Sequence, residues 1–315
     1  MNRRSFVTPD SSSVTADAPP ATLRAWWEFT RPHTIIGTSL AVCVLYLLAA
    51  HSAGRQSWPV LATALFASLA VNLYIVGLNQ LTDIEIDQIN KPYLPLAAGS
   101  MRYRTAVLIV TVSGTLALVA SALQGPYLFA TIATIFVIGT CYSLPPVRLK
   151  RFPSYAASSI IIARAIVGNI GIQLTFSAAL TGHPRLPGSL VLFVLFMIGF
   201  VVVIALMKDI PDVAGDRTND ISTIAIRLGP ARTLTLCRII LTLCYLGAPA
   251  AVWLGVGGVN PAVFTACHAA ALLALWIVGV RVDGTDQRAV KRYYMLIWKL
   301  FYLEFAAFLA ACLVS

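Results

Sequence analysis

Two short strings concentrate carboxylates where an apolar chain least tolerates them: Asn79-Gln-Leu-Thr-Asp83-Ile-Glu-Ile-Asp87 and Lys208-Asp209-Ile-Pro-Asp212-Val-Ala-Gly-Asp216, each directly after a long apolar run. Asn79, Asp83 and Asp87 step by four, while Asp209, Asp212 and Asp216 step by three and then four. On a helix each set makes one stripe, because residues three and four apart share a face. Like charges stacked this way repel unless something cationic lies between them, and hard oxygen donors with surplus negative charge suit Mg²⁺ shared with a phosphate. The spacing therefore predicts a divalent-metal diphosphate site whose ligand set is Asn79, Asp83, Asp87, Asp209, Asp212 and Asp216.

The elements that must position these stripes follow from composition. The chain is 58% hydrophobic and 11% charged, with a mean hydropathy of +0.80. These values describe an all-α polytopic membrane protein and exclude a soluble fold. Apolar runs of spanning length, roughly 20 residues, occupy 33–51, 59–81, 104–123, 126–144, 154–180, 187–207, 232–256, 260–280 and 294–314. Helix breakers punctuate the joints at Pro59, Leu123-Gln-Gly-Pro126 and Gly257-Gly-Val-Asn-Pro261, so these connections are read as short hairpins.

Topology follows from the basic residues, since short cytoplasmic loops carry an excess of Lys and Arg. With nine spans, 18 of the 23 basic residues fall on the side of the N-terminal segment and the even-numbered loops. Arg55 and Arg185 face the other way, and Arg164, Arg238 and Lys299 lie inside spans. The N-terminus is therefore placed in the cytoplasm and the C-terminus outside, with both stripes opening on the cytoplasmic face. For most of these arginines, orientation and attraction to anionic headgroups are explanation enough. A net charge of +10 around an acidic mouth also suits an anionic substrate, whereas nucleic acid is excluded as a partner. Residues 1–22 read as a disordered tail ahead of one membrane domain, 23–315, because they lack the apolar core of a signal peptide. A bacterial inner membrane is the expected location. The six cysteines all lie in apolar runs without CxxC spacing, and they read as packing residues.

The two stripes are 129 residues apart, from Asp83 to Asp212, each ending an even-numbered span. This suggests two related four-helix halves plus one extra helix, a symmetry also found in transporters. At the level of motifs the chain resembles the UbiA superfamily of intramembrane aromatic prenyltransferases over nearly its whole length. The resemblance rests on the Asn79/Asp83/Asp87 motif, on Asp212-Val-Ala-Gly-Asp216 preceded by Asp209, and on Tyr142-Ser-Leu-Pro-Pro-Val-Arg148-Leu-Lys150-Arg151 after the fourth span. Within the superfamily, Asn90-Lys-Pro-Tyr-Leu-Pro-Leu-Ala-Ala-Gly99 is most similar to the homogentisate prenyltransferases. Many other members carry Arg where this chain has Leu94. Thr30-Arg-Pro-His-Thr34, Lys208-Asp-Ile-Pro-Asp212 and Arg227-Leu-Gly229 fit the same subgroup.

The resemblance implies a bundle of about nine transmembrane helices around a central cavity, with helical cap loops carrying the stripes over its cytoplasmic mouth. It implies Mg²⁺ as cofactor, a prenyl diphosphate such as phytyl or geranylgeranyl diphosphate as donor, and an aromatic acid, homogentisate, as acceptor that loses CO₂. Metal held by the stripes stabilises the departing diphosphate. Lys91, Arg148 and Lys150 are the expected diphosphate contacts, Arg by planar forked donation and Lys as a point charge. Tyr142 is expected beside the allylic cation or the leaving group, with Asp83, Asp87, Asp212 and Asp216 as the catalytic carboxylates.

Several residues carry a second reading. Tyr142 and Tyr93 also suit an interfacial aromatic belt. Arg31 and His33 stand where the first span begins, so snorkelling competes with substrate contact. Glu85 lies off the first stripe and reads as a solvated loop charge, while Asp220 reads as pairing locally with Arg217. Arg238 and Lys299 suit snorkelling, and Glu304 is poorly spaced to pair with Lys299. Arg164 is different, because a charge at that depth is costly and faces a polar interior. Asn169 and Gln173 follow it by five and nine residues, giving the fifth span a partly polar face. An arginine there holds an acceptor carboxylate or serves as a hydrogen-bond hub between helices. Two alternatives to prenyl transfer stay open: intramembrane terpene cyclisation and, from another class, a cation-coupled transporter. Coupling-ion sites tend to lie near the midplane, whereas these carboxylates cluster at one face.

Overall fold

The structure, a computed structural model, describes residues 22–218 and 223–315, and for 214–218 the description stops at the backbone. The tail read at 1–22 lies, apart from Thr22, outside the described residues, as do Asp220 and the side chains of Asp216 and Arg217. The described elements are helical: α1 (Leu23–Phe29), α2 (Pro32–Ala53), α3 (Trp58–Thr82), α4 (Ile84–Asn90), α5 (Tyr103–Gln124), α6 (Pro126–Ser143), α7 (Pro153–Ile161), α8 (Gly168–Thr181), α9 (Gly188–Thr218), α10 (Ile224–Leu228), α11 (Pro230–Trp253), α12 (Pro261–Gly279) and α13 (Gln287–Leu313). A π-helical turn, Ile162–Val167, joins α7 to α8, and a 3₁₀ turn, Leu149–Arg151, precedes α7. Among the described residues nine helical segments are long and apolar enough to cross a membrane, α7–π–α8 counting as one.

Their starts follow from proline chemistry. Pro32, Pro59, Pro126, Pro153, Pro230 and Pro261 each occupy the first turn of a span, where a missing N–H costs nothing and a fixed φ favours entry into the helix. Asn260 caps α12, its Oδ1 accepting from the amides of Ala262 and Val263 at 3.1 Å.

α2, α3, α6, α7–α8, α9 and α13 surround a common cavity. α5 packs outside this ring against α3 and α6, and α11 and α12 pack against α9 and α13. In lipid no hydrophobic drive pulls helices together, so close approach depends on small residues. A Cβ on Gly171 of α8 would stand 2.0 Å from Oγ1 and 2.8 Å from Cβ of Thr131 on α6, which makes glycine obligatory for that contact. α9 is the most enclosed span. Its Phe193, Phe196 and Phe200 pack against rings of α11 and α13.

The expected spans agree with the structure to within a few residues except that α13 begins at Gln287, well before the expected 294, and there are two further differences at the stripes. The second stripe was expected in a loop beyond 207, but α9 runs through Pro211 to Thr218, so that Asp209 and Asp212 ride on the span itself. The first stripe does not lie on one helix. α3 ends at Thr82, and Asp83 (φ −122°, ψ 19°) is the joint from which α4 departs. The four-residue step survives the joint because the Asp87 amide donates to the Asp83 carbonyl and the Lys91 amide to the Asp87 carbonyl, both at 2.7 Å.

Two ionisable residues within spans find partners that sequence spacing did not suggest. Arg238, expected to snorkel, donates from Nη1 to the Gly279 carbonyl at 2.9 Å, meeting the negative end of the α12 dipole. Glu304 lies 3.5 Å from His268 Nε2 on α12, and both are almost fully buried.

Candidate active site

The ends of α3, α6 and α9, with α4 and the 3₁₀ turn, bring the two stripes to one mouth. Lys91, just past α4, ties them together: its Nζ is 2.6 Å from Asp212 Oδ2 and 3.9 Å from Asp87 Oδ1. A second cationic pair comes from the other side. Lys150 Nζ lies 2.5 Å from Asp83 Oδ1 and 2.9 Å from Thr82 Oγ1, and Arg148 Nη2 reaches the same carboxylate oxygen at 3.2 Å. Asn79 Nδ2 donates to Asp83 Oδ2 at 3.0 Å, and Asn79 Oδ1 accepts from Arg31 Nη2 at 3.4 Å. Cations thus stand between carboxylates that would otherwise repel.

Arg31 (φ 50°) and Arg148 (φ 38°) are non-glycine residues in left-handed backbone. Such a conformation costs roughly 1–2 kcal/mol, and it recurs where a side chain must be aimed. Here both guanidiniums are aimed at the first stripe. Burial pushes the Asp87 carboxyl up to about 6, with Lys91 and Arg31 opposing the shift and Asp83 and Asp212 adding to it. Burial likewise lowers the Lys150 ammonium to about 8, against the pull of Asp83. Both shifts follow from charge carried in a site with little water.

The residues at this mouth suit a hard cation. Asp87 Oδ2 and Asp212 Oδ1 are buried without a hydrogen-bond partner, and a buried anionic oxygen left unpaired is costly unless a cation meets it. Among the described residues no three His, Cys, Asp or Glu side chains draw together as a ready metal cage. Asp209 is 3.5 Å from Lys208, and the side chain of Asp216 lies outside the described residues.

Below the mouth lies a cavity of about 290 Å³ with mostly aliphatic walls, reached by Asn79, Tyr142, Arg164, Asn169 and Lys208. Tyr142 is therefore a cavity residue and not a belt aromatic; its hydroxyl lies 3.4 Å from Lys208 Nζ. Tyr93 stays half exposed, with Lys291 4.4 Å from its ring centroid. Glu85 is exposed, as expected of a solvated charge. Arg164 sits in the π turn with its guanidinium 5.2 Å from the Trp298 ring centroid. A π turn carries about one residue more per turn, which brings Asn169, five positions on, round to the cavity wall. Gln173 is buried but does not reach the cavity.

Lys208, Arg31 and His33 all line this cavity. In the sequence Lys208 stands out only within the Lys208-Asp-Ile-Pro-Asp212 string, and Arg31 and His33 suit headgroups as well as substrate. The position of Lys208 directly before Asp209, on the last turns of an apolar span, was the available signal.

The sequence profile described as the UbiA prenyltransferase family matches residues 40–300. The chain is 40% identical to a homogentisate phytyltransferase from Synechocystis sp., over 90% of this chain and 94% of that one. It is 39% identical to a homogentisate geranylgeranyltransferase from Triticum aestivum, over 90% of this chain and 71% of that one. Among solved structures, a UbiA homolog from Archaeoglobus fulgidus bound to GPP and Mg²⁺ shares the fold, with a TM-score of 0.64 at 17% identity, covering 90% of this chain and 99% of the other.

Proposed function

The chain belongs to the UbiA prenyltransferase family, and on that premise we propose that it is a homogentisate prenyltransferase, moving an isoprenoid chain from a prenyl diphosphate to homogentisate with loss of CO₂. The observation that carries this reading is Lys91 standing between Asp87 and Asp212 above an apolar cavity. Two acidic stripes, a ring of cations and a lipid-like chamber meet at one point, as a charged head on a long apolar tail requires.

Mg²⁺ is the metal this donor set fits, with Asn79, Asp83, Asp87, Asp209 and Asp212 as its holders and Asp216 added on sequence alone. When bound it would stabilise the charge that grows on the leaving diphosphate. Lys91, Arg148 and Lys150 each have a carboxylate partner that they can share with a phosphate oxygen, and Arg31 and Lys208 extend the cationic ring towards the cavity. Tyr142 presents a ring and a hydroxyl where the C–O bond would lengthen, and a ring face favours developing positive charge. Arg164 is the proposed anchor for the acceptor's carboxylate. Its guanidinium rests on Trp298 inside the cavity, where a charge-assisted bond is strong.

The test is reconstitution of the purified protein in lipid with Mg²⁺, a panel of labelled prenyl diphosphates and a panel of aromatic acids, with products identified by mass. A prenylated, decarboxylated quinol is expected. A hydrocarbon formed from diphosphate alone would turn the reading to intramembrane cyclisation.

A further inference from the structure

We propose that His33 is the general base of the transfer, its imidazole taking the proton of the acceptor's phenolic hydroxyl as the aromatic ring attacks. This rests on the reading of the acceptor as a phenolic acid. His33 lies in the first turn of α2 and lines the cavity. Two residues earlier, Arg31 reaches Asn79, so His33 stands where the charged mouth passes into the apolar chamber. Its main-chain carbonyl accepts from the Tyr302 hydroxyl at 2.6 Å, which fixes this turn against α13. Its ring meets Trp298 edge-on, with centroids 5.0 Å apart at 67°. The same indole carries the Arg164 guanidinium over its face. One aromatic wall therefore holds a proton acceptor and a cation, the two groups that a hydroxyl and a carboxylate on one small ring would need.

Several other polar side chains of the wall are already engaged. Asn72 donates to Thr38 at 2.9 Å, Asn169 to the Ala165 carbonyl at 2.9 Å, Ser159 to the Tyr155 carbonyl at 2.7 Å and Thr131 to the Tyr127 carbonyl at 2.7 Å. Neither imidazole nitrogen of His33 has a hydrogen-bond partner among the described residues, which leaves this ring able to meet a ligand.

The step balances without another reagent. The allylic C–O bond breaks with its electron pair on the diphosphate, and a ring carbon conjugated with the hydroxyl forms the new C–C bond. The O–H electron pair closes the carbonyl of a dienone, and the proton passes to the imidazole. Rearomatisation expels the hydrogen of the substituted carbon to water or diphosphate, and the imidazolium returns its proton to the oxygen; loss of CO₂ from the acetate arm is a separate step in which the pair of the broken C–C bond takes a proton from water. A weak base suffices, because attack turns the phenol into a protonated dienone, a far stronger acid.

The experiment compares wild type with His33→Gln and His33→Asn, full-length in lipid nanodiscs with Mg²⁺ and geranylgeranyl diphosphate. The acceptors are hydroxyphenylacetic acids carrying increasing ring fluorination. General-base contributions of roughly 10²–10⁴-fold are typical, so both variants should lose about a hundredfold or more in kcat with the unfluorinated phenols. Fluorinated acceptors that are already phenolate should recover most of that loss, and Mg²⁺-dependent diphosphate binding should stay within about twofold of wild type, which also certifies folding. A loss of equal size across the acceptor series, or no loss in either variant, would overturn the assignment while leaving the prenyltransferase reading intact. If wild type transfers to no phenolic acid, both fall together.

Discussion

At the scale of single residues, the site is a balance of buried opposite charges, and its variants should fail by unbalancing it. Asp83→Ala would leave Lys150 and Arg148 facing one another without their shared carboxylate, and Asp212→Ala would release Lys91. Each should lower kcat/KM by at least about 10²–10³, the usual cost of removing one preorganised electrostatic stabiliser, while membrane insertion is retained. A chelator should reproduce the effect on wild type, and full turnover in excess chelator would remove metal from the proposal. Asp87 supplies a pH dependence. Its carboxyl stands at about 6 in the folded chain against an ordinary 3.8, so the folded chain holds the proton more tightly than the unfolded one. Stability of the metal-free protein should therefore fall as pH rises from about 4 to 6, the reverse of a salt-bridged carboxylate. Metal affinity should run the other way, weakening by up to about tenfold per unit below pH 6 as the proton competes for the ligand. Calorimetric titration with Mg²⁺ and a diphosphate analogue between pH 5 and 8 checks this, and Asp87→Asn should flatten the curve.

At the scale of elements, the sequence disclosed the spans well and the joints poorly, for physical reasons. Lipid permits little but closed hydrogen bonding, so an apolar run of spanning length is nearly always a helix, and prolines such as Pro126 and Pro261 mark where the next one starts. The break at Asp83 was hidden because its four-residue step continues through the backbone bonds around it. The π turn was hidden too: Arg164 and Asn169 are five apart, off-face in an α-helix and brought together only by the wider turn. The pairings of Lys91 with Asp212 and Lys150 with Asp83 join residues 121 and 67 apart, and no local pattern encodes such distances. Close helix contacts offer a direct test at this scale. Gly171→Val would drive a branched side chain into Thr131, whose own Cβ is already within 2.8 Å of the position an added Cβ would take. Overpacking of this kind costs about 1–3 kcal/mol. The variant should melt several degrees lower in detergent, with Thr131→Gly restoring part of the loss as α6 and α8 close again.

At the scale of the whole molecule, orientation decides whether the mouth meets its substrate. The connections at the mouth end, from the turn before α2 through Lys91, Arg148, Lys150 and Lys208 to Lys291, carry most of the basic residues, while the opposite end offers Arg55 between α2 and α3 and Arg185 between α8 and α9. We propose that this asymmetry sets the basic end in the cytoplasm during insertion, the compartment in which soluble metal and charged diphosphates would be supplied. The basic residues nearest the stripes neutralise carboxylates, and we propose that those farther out meet anionic headgroups. The six native cysteines are unpaired and none is exposed, so they can be replaced by alanine to give a background for labelling. In bacterial cells expressing that protein, Arg55→Cys should react with a membrane-impermeant maleimide applied outside. Arg104→Cys, at the start of α5 on the mouth side, should react only after the inner membrane is opened. Labelling of Arg104→Cys in intact cells would place the acidic mouth outside, and the nine-span, cytoplasm-facing arrangement would have to be abandoned even if every span were correctly drawn.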